Sequence, residues 1–151
     1  MTHLKIGDDA PEINSIDENG EKITLSQFKG KKVILYFYPK DMTPGCTAQA
    51  CNLTENYQEL QSQGYEVLGV SCDSVAKHQK FIEKYNLSFS LISDEQKKVV
   101  QDYGVWGMKK FMGREYMGIN RTTFLIDEKG VINDIITKVD TKQHTSQILN
   151  R

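Results

Sequence analysis

The sequence predicts an α/β sandwich, a central mixed β-sheet with helices on both faces and an N-terminal β-hairpin. Three observations predict it. The run VILYFY (33–38) is apolar throughout, as a strand buried on both faces must be. Behind it, Cys46, Ala50, Leu53, Tyr57 and Leu60 recur at alternating spacings of four and three, which marks one face of a helix. The strand-then-helix order repeats, with EVLGVS (66–71) as a second buried strand.

Each element follows in chain order. EINSI (12–16) and KITL (22–25) flank DENG (17–20), where Asn-Gly signals a hairpin turn. The strand at 33–38 leads through a loop into the helix, which Gly64 ends. Val75, Phe81, Ile82 and Tyr85 place a second helix after the 66–71 strand. SFSLIS (88–93) is a short strand, and 97–103 a short helix closed by Gly104. The segment GVWGMKKFMGREYMGIN (104–120) has four glycines and no clean period, so a loop is expected there. TTFLID (122–127) turns through DEKG (127–130) into VINDIITKV, a second hairpin, and the last ten residues form a short helix. With no repeat, linker or low-complexity tract, residues 1–151 are expected to form one domain.

The bulk composition narrows function by exclusion. A formal net charge of −1 gives no electrostatic case for nucleic acid or an anionic membrane as partner. No apolar run approaches the roughly 18 residues of a membrane span. The start, MTHLKIGDDAPEI, lacks a secretory h-region, so a cytoplasmic location is expected. Three cysteines in a reducing compartment point to catalysis, redox chemistry or metal binding rather than stapling.

Two of those cysteines lie in PKDMTPGCTAQAC (39–51). Pro44 and Gly45 sit where a strand turns into a helix, so Cys46 falls in or beside the first helical turn. There the backbone N–H groups lack partners and the helix dipole is positive, a setting that favours thiolate. Thr43 supplies a hydroxyl to the same space and equally suits a helix N-cap, with Pro44 at the first helical position. Cys51 is rotated about 140° from Cys46, and their Cα atoms lie roughly 8.5 Å apart on an intact helix. A disulfide spans no more than about 7 Å, so these two bond only if the first turns unwind. A thioredoxin-type exchanger uses C-x-x-C, and zinc needs further ligands in a pattern that Cys72 and the three scattered histidines do not form. The spacing fits a nucleophile that a peroxide oxidises to sulfenic acid and a second thiol then resolves.

The stretch PKDMTPGCT (39–47) resembles the peroxiredoxin signature P-x₃-T-x₂-C, and TPGCT with a second cysteine at Cys51 resembles the bacterioferritin-comigratory, or peroxiredoxin Q, subfamily. GDDAPEI (7–13), LSQFKGKKVILYFYPKD (25–41), GVSCD (69–73), LISDE (91–95), YGVWG (103–107) and RTTFLID (121–127) extend the resemblance along the chain. It implies a thioredoxin-like fold and thiol-dependent reduction of hydrogen peroxide and organic hydroperoxides. Carried over by position, Cys46 is the peroxidatic and Cys51 the resolving cysteine. Thr43 and Arg121 bind thiolate and peroxide, Pro39 shields the pocket, and the N–H groups of Gly45 and Cys46 complete an anion site. A thioredoxin-like dithiol would restore both thiols, with no metal or organic cofactor. A resolving cysteine within the chain makes a monomer the expected state.

Other residues have plainer readings. Arg121, read without the resemblance, is a solvated charge beside a strand. His78 should border the core, and the Trp106, Phe111 and methionine side chains of 104–120 should form a packed loop. Lys109, Lys110 and Arg114 read as a solvated face, Cys72 as a buried strand-end thiol, and Asp41 and Gln49 as supporting residues. NLTEN (52–56) departs from the subfamily, which commonly has an arginine shortly after the resolving position. A thiol–disulfide exchanger or redox sensor, and a non-enzymatic binding module, are the competing readings.

Overall fold

A computed structural model describes residues 2–151. Nine strands and five α-helices follow one another along it: β1 (Asn14–Ile16), β2 (Lys22–Thr24), β3 (Lys32–Phe37), α1 (Pro44–Glu55), α2 (Tyr57–Ser62), β4 (Tyr65–Ser71), α3 (Val75–Tyr85), β5 (Ser90–Ser93), α4 (Lys98–Asp102), β6 (Trp106–Phe111), β7 (Arg114–Ile119), β8 (Thr122–Ile126), β9 (Ile132–Ile136) and α5 (His144–Leu149). Seven strands form one mixed sheet in the order β2-β1-β5-β4-β3-β8-β9, and β6 pairs with β7 in a separate ribbon.

Strand β3 is the axis of the sheet, parallel to β4 on one side and antiparallel to β8 on the other. Its side chains alternate between two cores, as the two-residue period of a strand requires. Val33, Leu35 and Phe37 pack with Val99, Val100 and Tyr103 in and beside α4. Ile34 and Tyr36 face the other way, with Tyr38 just beyond the strand, onto Ala50, Leu53, Leu60, Phe81 and Ile148 from α1, α2, α3 and α5. Helices therefore cover both faces, as the wholly apolar strand requires. The N-terminal hairpin forms at Asn19-Gly20, where Gly20 takes φ +73°.

Two expectations need correction. The helix after Cys46 does not run unbroken to Gly64: it stops at Glu55, and α2 starts at Tyr57. Asn56 breaks it by turning its side-chain amide back to donate to the Asn52 carbonyl at 2.8 Å, so that side chain competes with the helical backbone. Residues 104–120 are not a loop but the β6–β7 hairpin, paired from Trp106 opposite Ile119 to Phe111 opposite Arg114. Its turn uses Met112 at φ +52° and Gly113 at φ +79°, the two left-handed residues of a primed hairpin turn. Met-Gly is a weak signal for that turn. The ribbon lies outside the main sheet, so no strong burial alternation marks its strands.

The sheet brings together residues far apart in sequence. Because β3 and β8 are antiparallel, Phe37 at the end of β3 pairs with Thr122 at the start of β8. Arg121 thus stands beside the loop that leads into α1. On the other side Phe37 pairs with Val70, which sets the residues after β4 next to those after β3. No helix among the described residues is long and apolar enough to cross a membrane.

Candidate active site

Cys46 sits in the first turn of α1. Thr43 is the N-cap by backbone conformation (φ −78°, ψ 152°), and Pro44 follows at the first helical position, where its missing N–H costs nothing. The first helical bond runs from the Thr47 N–H to the Thr43 carbonyl at 2.9 Å, leaving the Gly45 and Cys46 N–H groups ahead of the helical ladder. The thiol itself is 1 % exposed and packs in the core cluster with Tyr36, Ala50 and Leu53.

The charge in this pocket comes from Arg121. Its Nη2 donates to Cys46 Sγ at 3.3 Å, and its Nη1 donates to Gln49 Oε1 at 2.6 Å. The planar fork thus spans two residues one helical turn apart, and the fully buried Gln49 holds it against the sulfur. A guanidinium has only donors, so the Gln49 amide must present its oxygen. A Cβ on Gly45 would lie 3.4 Å from Arg121 Nη2, so glycine leaves the guanidinium room to approach the helix start. The solvated charge expected at Arg121 is instead the cation of the site.

Thr43 caps the helix with its backbone but not with its side chain. Its hydroxyl donates back to the Lys40 carbonyl at 2.8 Å and makes no cap bond. With the proton committed there, the oxygen keeps its lone pairs for an incoming donor. Pro39 is half-buried at the end of β3.

The other two cysteines differ in setting. All three thiols are free, and Cys51 lies half-buried within the intact α1. Burial, with the charge of Glu55 beside it, raises the Cys51 pKa. Cys72, just past β4, is pushed up to about 11, first by burial and then by Asp94 and Asp73 against the opposing charge of Lys97. It is a poor nucleophile at neutral pH.

The contacts of several residues near the site were not visible in the sequence. His144 is buried with Nε2 2.9 Å from the Thr123 hydroxyl and Nδ1 2.9 Å from Gln147 Oε1. Burial drives its pKa down to about 4, and the charge of Arg121 adds to that, so it is neutral at pH 7. Lys109, expected on a solvated face, donates to the Ile119 carbonyl at 2.8 Å, and its pKa is lowered by burial and by Arg121. Gln49 was legible as a neighbour of Cys46 at i+3, although nothing in the sequence showed what it would hold.

Comparison with known proteins identifies the family. The AhpC/TSA family model matches residues 6–135. The chain belongs to the AhpC/TSA family. Within that family it is 47% identical to peroxiredoxin Bcp of Escherichia coli K12 over 150 residues, 99% of this chain and 96% of the relative. Among solved structures, a cysteine mutant of PrxQ from Xylella fastidiosa superposes with a TM-score of 0.92 at 30% identity, covering 99% of this chain and 96% of that one. Xanthomonas campestris bacterioferritin comigratory protein, studied for its alkyl peroxide reduction activity, gives 0.88 at 30% identity over 99% and 96%. The fold is thioredoxin-like, and the chain is an oxidoreductase of the Bcp/PrxQ peroxiredoxin type.

Proposed function

We propose that the protein reduces hydrogen peroxide and organic hydroperoxides at Cys46, resolves the product with Cys51, and is recycled by a thioredoxin-like dithiol. The observation that carries this reading is Arg121 Nη2 3.3 Å from the buried Cys46 sulfur at the start of a helix. Guanidinium and free N–H groups there are donors aimed at an anionic sulfur and at the oxygens of a peroxide.

In the first step the Cys46 thiolate attacks the terminal oxygen, the O–O bond breaks, and the alkoxide leaves as alcohol after taking a proton. Cys46 is then a sulfenic acid. Arg121 stabilises the charge that moves from sulfur to the departing oxygen, and the Thr43 oxygen accepts from the peroxide O–H. Pro39 limits water at the pocket, and the Gly45 and Cys46 N–H groups hold the anion.

In the second step the Cys51 sulfur attacks the Cys46 sulfur and water leaves, giving a disulfide within the chain. On an intact α1 the two Cα atoms are roughly 8.5 Å apart, beyond the reach of a disulfide, so the first turns must open. Opening also takes Cys51 out of the burial that raises its pKa, so one motion brings the resolving thiol near and activates it. A dithiol then exchanges with the disulfide and leaves both cysteines reduced. The resolving thiol lies in the same chain, so a monomer suffices for the cycle.

The test is steady-state peroxide consumption with thioredoxin and its reductase, comparing wild type with Cys51→Ser. Turnover should collapse in the variant while its first equivalent of peroxide is consumed at the wild-type rate, leaving sulfenic acid on Cys46. Unchanged turnover would remove Cys51 from the cycle. A second variant, Gln49→Ala, frees the Arg121 fork from its anchor. A hydrogen bond to a charged group is worth about 1.5–3 kcal/mol, so peroxide reactivity should fall roughly ten-fold or more, read as the second-order rate of Cys46 oxidation.

A further inference from the structure

The loop between β3 and α1 is fastened from below by a buried polar network. Asp41 Oδ2 lies 2.6 Å from His78 Nδ1, and the Tyr38 hydroxyl donates to Asp41 Oδ1 at 2.5 Å. The Asp41 N–H donates to Asp73 Oδ2 at 2.8 Å, as does the Ser71 hydroxyl at 2.8 Å. On its other side His78 Nε2 lies 3.0 Å from the Ile92 carbonyl. His78, expected at the border of the core, is fully buried, and Asp41 and Asp73 are nearly so.

Proton counting places an extra proton on the His78–Asp41 pair. The Ile92 carbonyl only accepts, so His78 Nε2 carries a hydrogen. Nδ1 then faces a carboxylate oxygen at 2.6 Å, where two lone pairs would repel unless a proton lies between them. With Tyr38 already donating to the other oxygen, His78 and Asp41 share one proton more than neutral imidazole and carboxylate carry.

The second observation is backbone strain directly above this pair. Met42, next after Asp41, has φ +69°, a left-handed conformation that a side chain disfavours. Such a residue persists where its neighbours are fixed. Asp41 is held by three groups on one side, and on the other Thr43 is tied to Lys40 and enters α1 as its N-cap.

We propose that the protonated His78, paired with Asp41, is a positioning unit that fixes residues 39–43 so that Thr43 and the Cys46 helix start face the peroxide, and that losing this proton loosens the loop and slows Cys46. The proposal rests on the peroxidase reading above. The groups facing His78 are Tyr38 and Asp41 from beyond β3, Asp73 from beyond β4, and the Ile92 carbonyl of β5. Burial alone would lower the His78 pKa, but the bond and charge of Asp41, the Ile92 carbonyl and Asp73 outweigh it, so the net shift is upward. A raised folded-state value means the clamp is complete below the ordinary histidine value and is lost as pH rises through the raised one.

The experiment has two arms. In ¹⁵N-histidine-labelled reduced protein at about pH 6, below the ordinary histidine value, ring-nitrogen NMR should find both His78 nitrogens protonated, whereas His144 is neutral, and this readout needs no peroxide. Stopped-flow oxidation of Cys46 by hydrogen peroxide should fall by roughly ten-fold on the alkaline side, with a midpoint matching the His78 titration. In Asp41→Asn the amide can donate to a neutral His78 Nδ1 and accept from Tyr38, so that alkaline fall should vanish. A neutral His78 at that pH overturns the proposal. So does a rate that ignores the His78 midpoint in wild type, a comparison that holds even if the variant fails to fold. A wild-type rate no faster than a free thiol at every pH would instead defeat the peroxidase reading, with the NMR result standing apart.

Discussion

Cys46→Ser is expected to lose peroxide reduction by roughly 10³-fold or more, with the fold intact. The change replaces one buried sulfur by oxygen in a position 1 % exposed, so the packing against Tyr36, Ala50 and Leu53 is nearly unchanged. A serine hydroxyl stays protonated near neutral pH and attacks the O–O bond poorly, even with Arg121 in place. Circular dichroism should match wild type while stopped-flow consumption falls to the background of free thiol. Retained activity would move the chemistry to Cys51 or Cys72. The raised pKa of both argues against either.

The second large effect is at Arg121. Arg121→Ala removes the donor 3.3 Å from the sulfur and leaves the buried Gln49 without the guanidinium that its oxygen accepts from. Loss of one preorganised donor at a developing charge costs on the order of 10²- to 10³-fold, and a fall of that size in second-order Cys46 oxidation is expected. Arg121→Lys should recover little of it. A lysine supplies a point charge but no planar fork, so it cannot hold the Gln49 oxygen and the sulfur together. If lysine restores the wild-type rate, charge alone suffices and the fork is dispensable. Melting temperature separates these effects from a loss of folding.

Much of this arrangement was legible because it depends on local pattern. The apolar run at 33–38 and the four-and-three spacing behind it fixed β3, α1 and the location of Cys46 between them. The Asn-Gly and DEKG turns marked two hairpins. The β6–β7 ribbon was missed because its turn is Met-Gly and neither strand is strongly one-sided. Asn56 broke the helix through its own side chain, an effect that apolar spacing does not register.

The site divides in the same way. Thr43, Pro44 and Cys46 are contiguous, so a strand-to-helix reading places them together. Arg121 reaches Cys46 only because Phe37 pairs with Thr122 across antiparallel strands, and no local pattern carries that register. The resemblance to peroxiredoxins supplied the link. The partners of His78 come from the ends of three strands, so a lone histidine on a helix gave no sign of the proton it holds.

The most direct test mixes fully reduced protein with one equivalent of hydrogen peroxide in a stopped-flow instrument, followed by intact mass and peptide mapping. Consumption far faster than a free thiol, ending in a disulfide between Cys46 and Cys51 with Cys72 still free, is the predicted result. Consumption no faster than a free thiol, or a product whose disulfide omits Cys46, would contradict it and favour a thiol–disulfide exchanger.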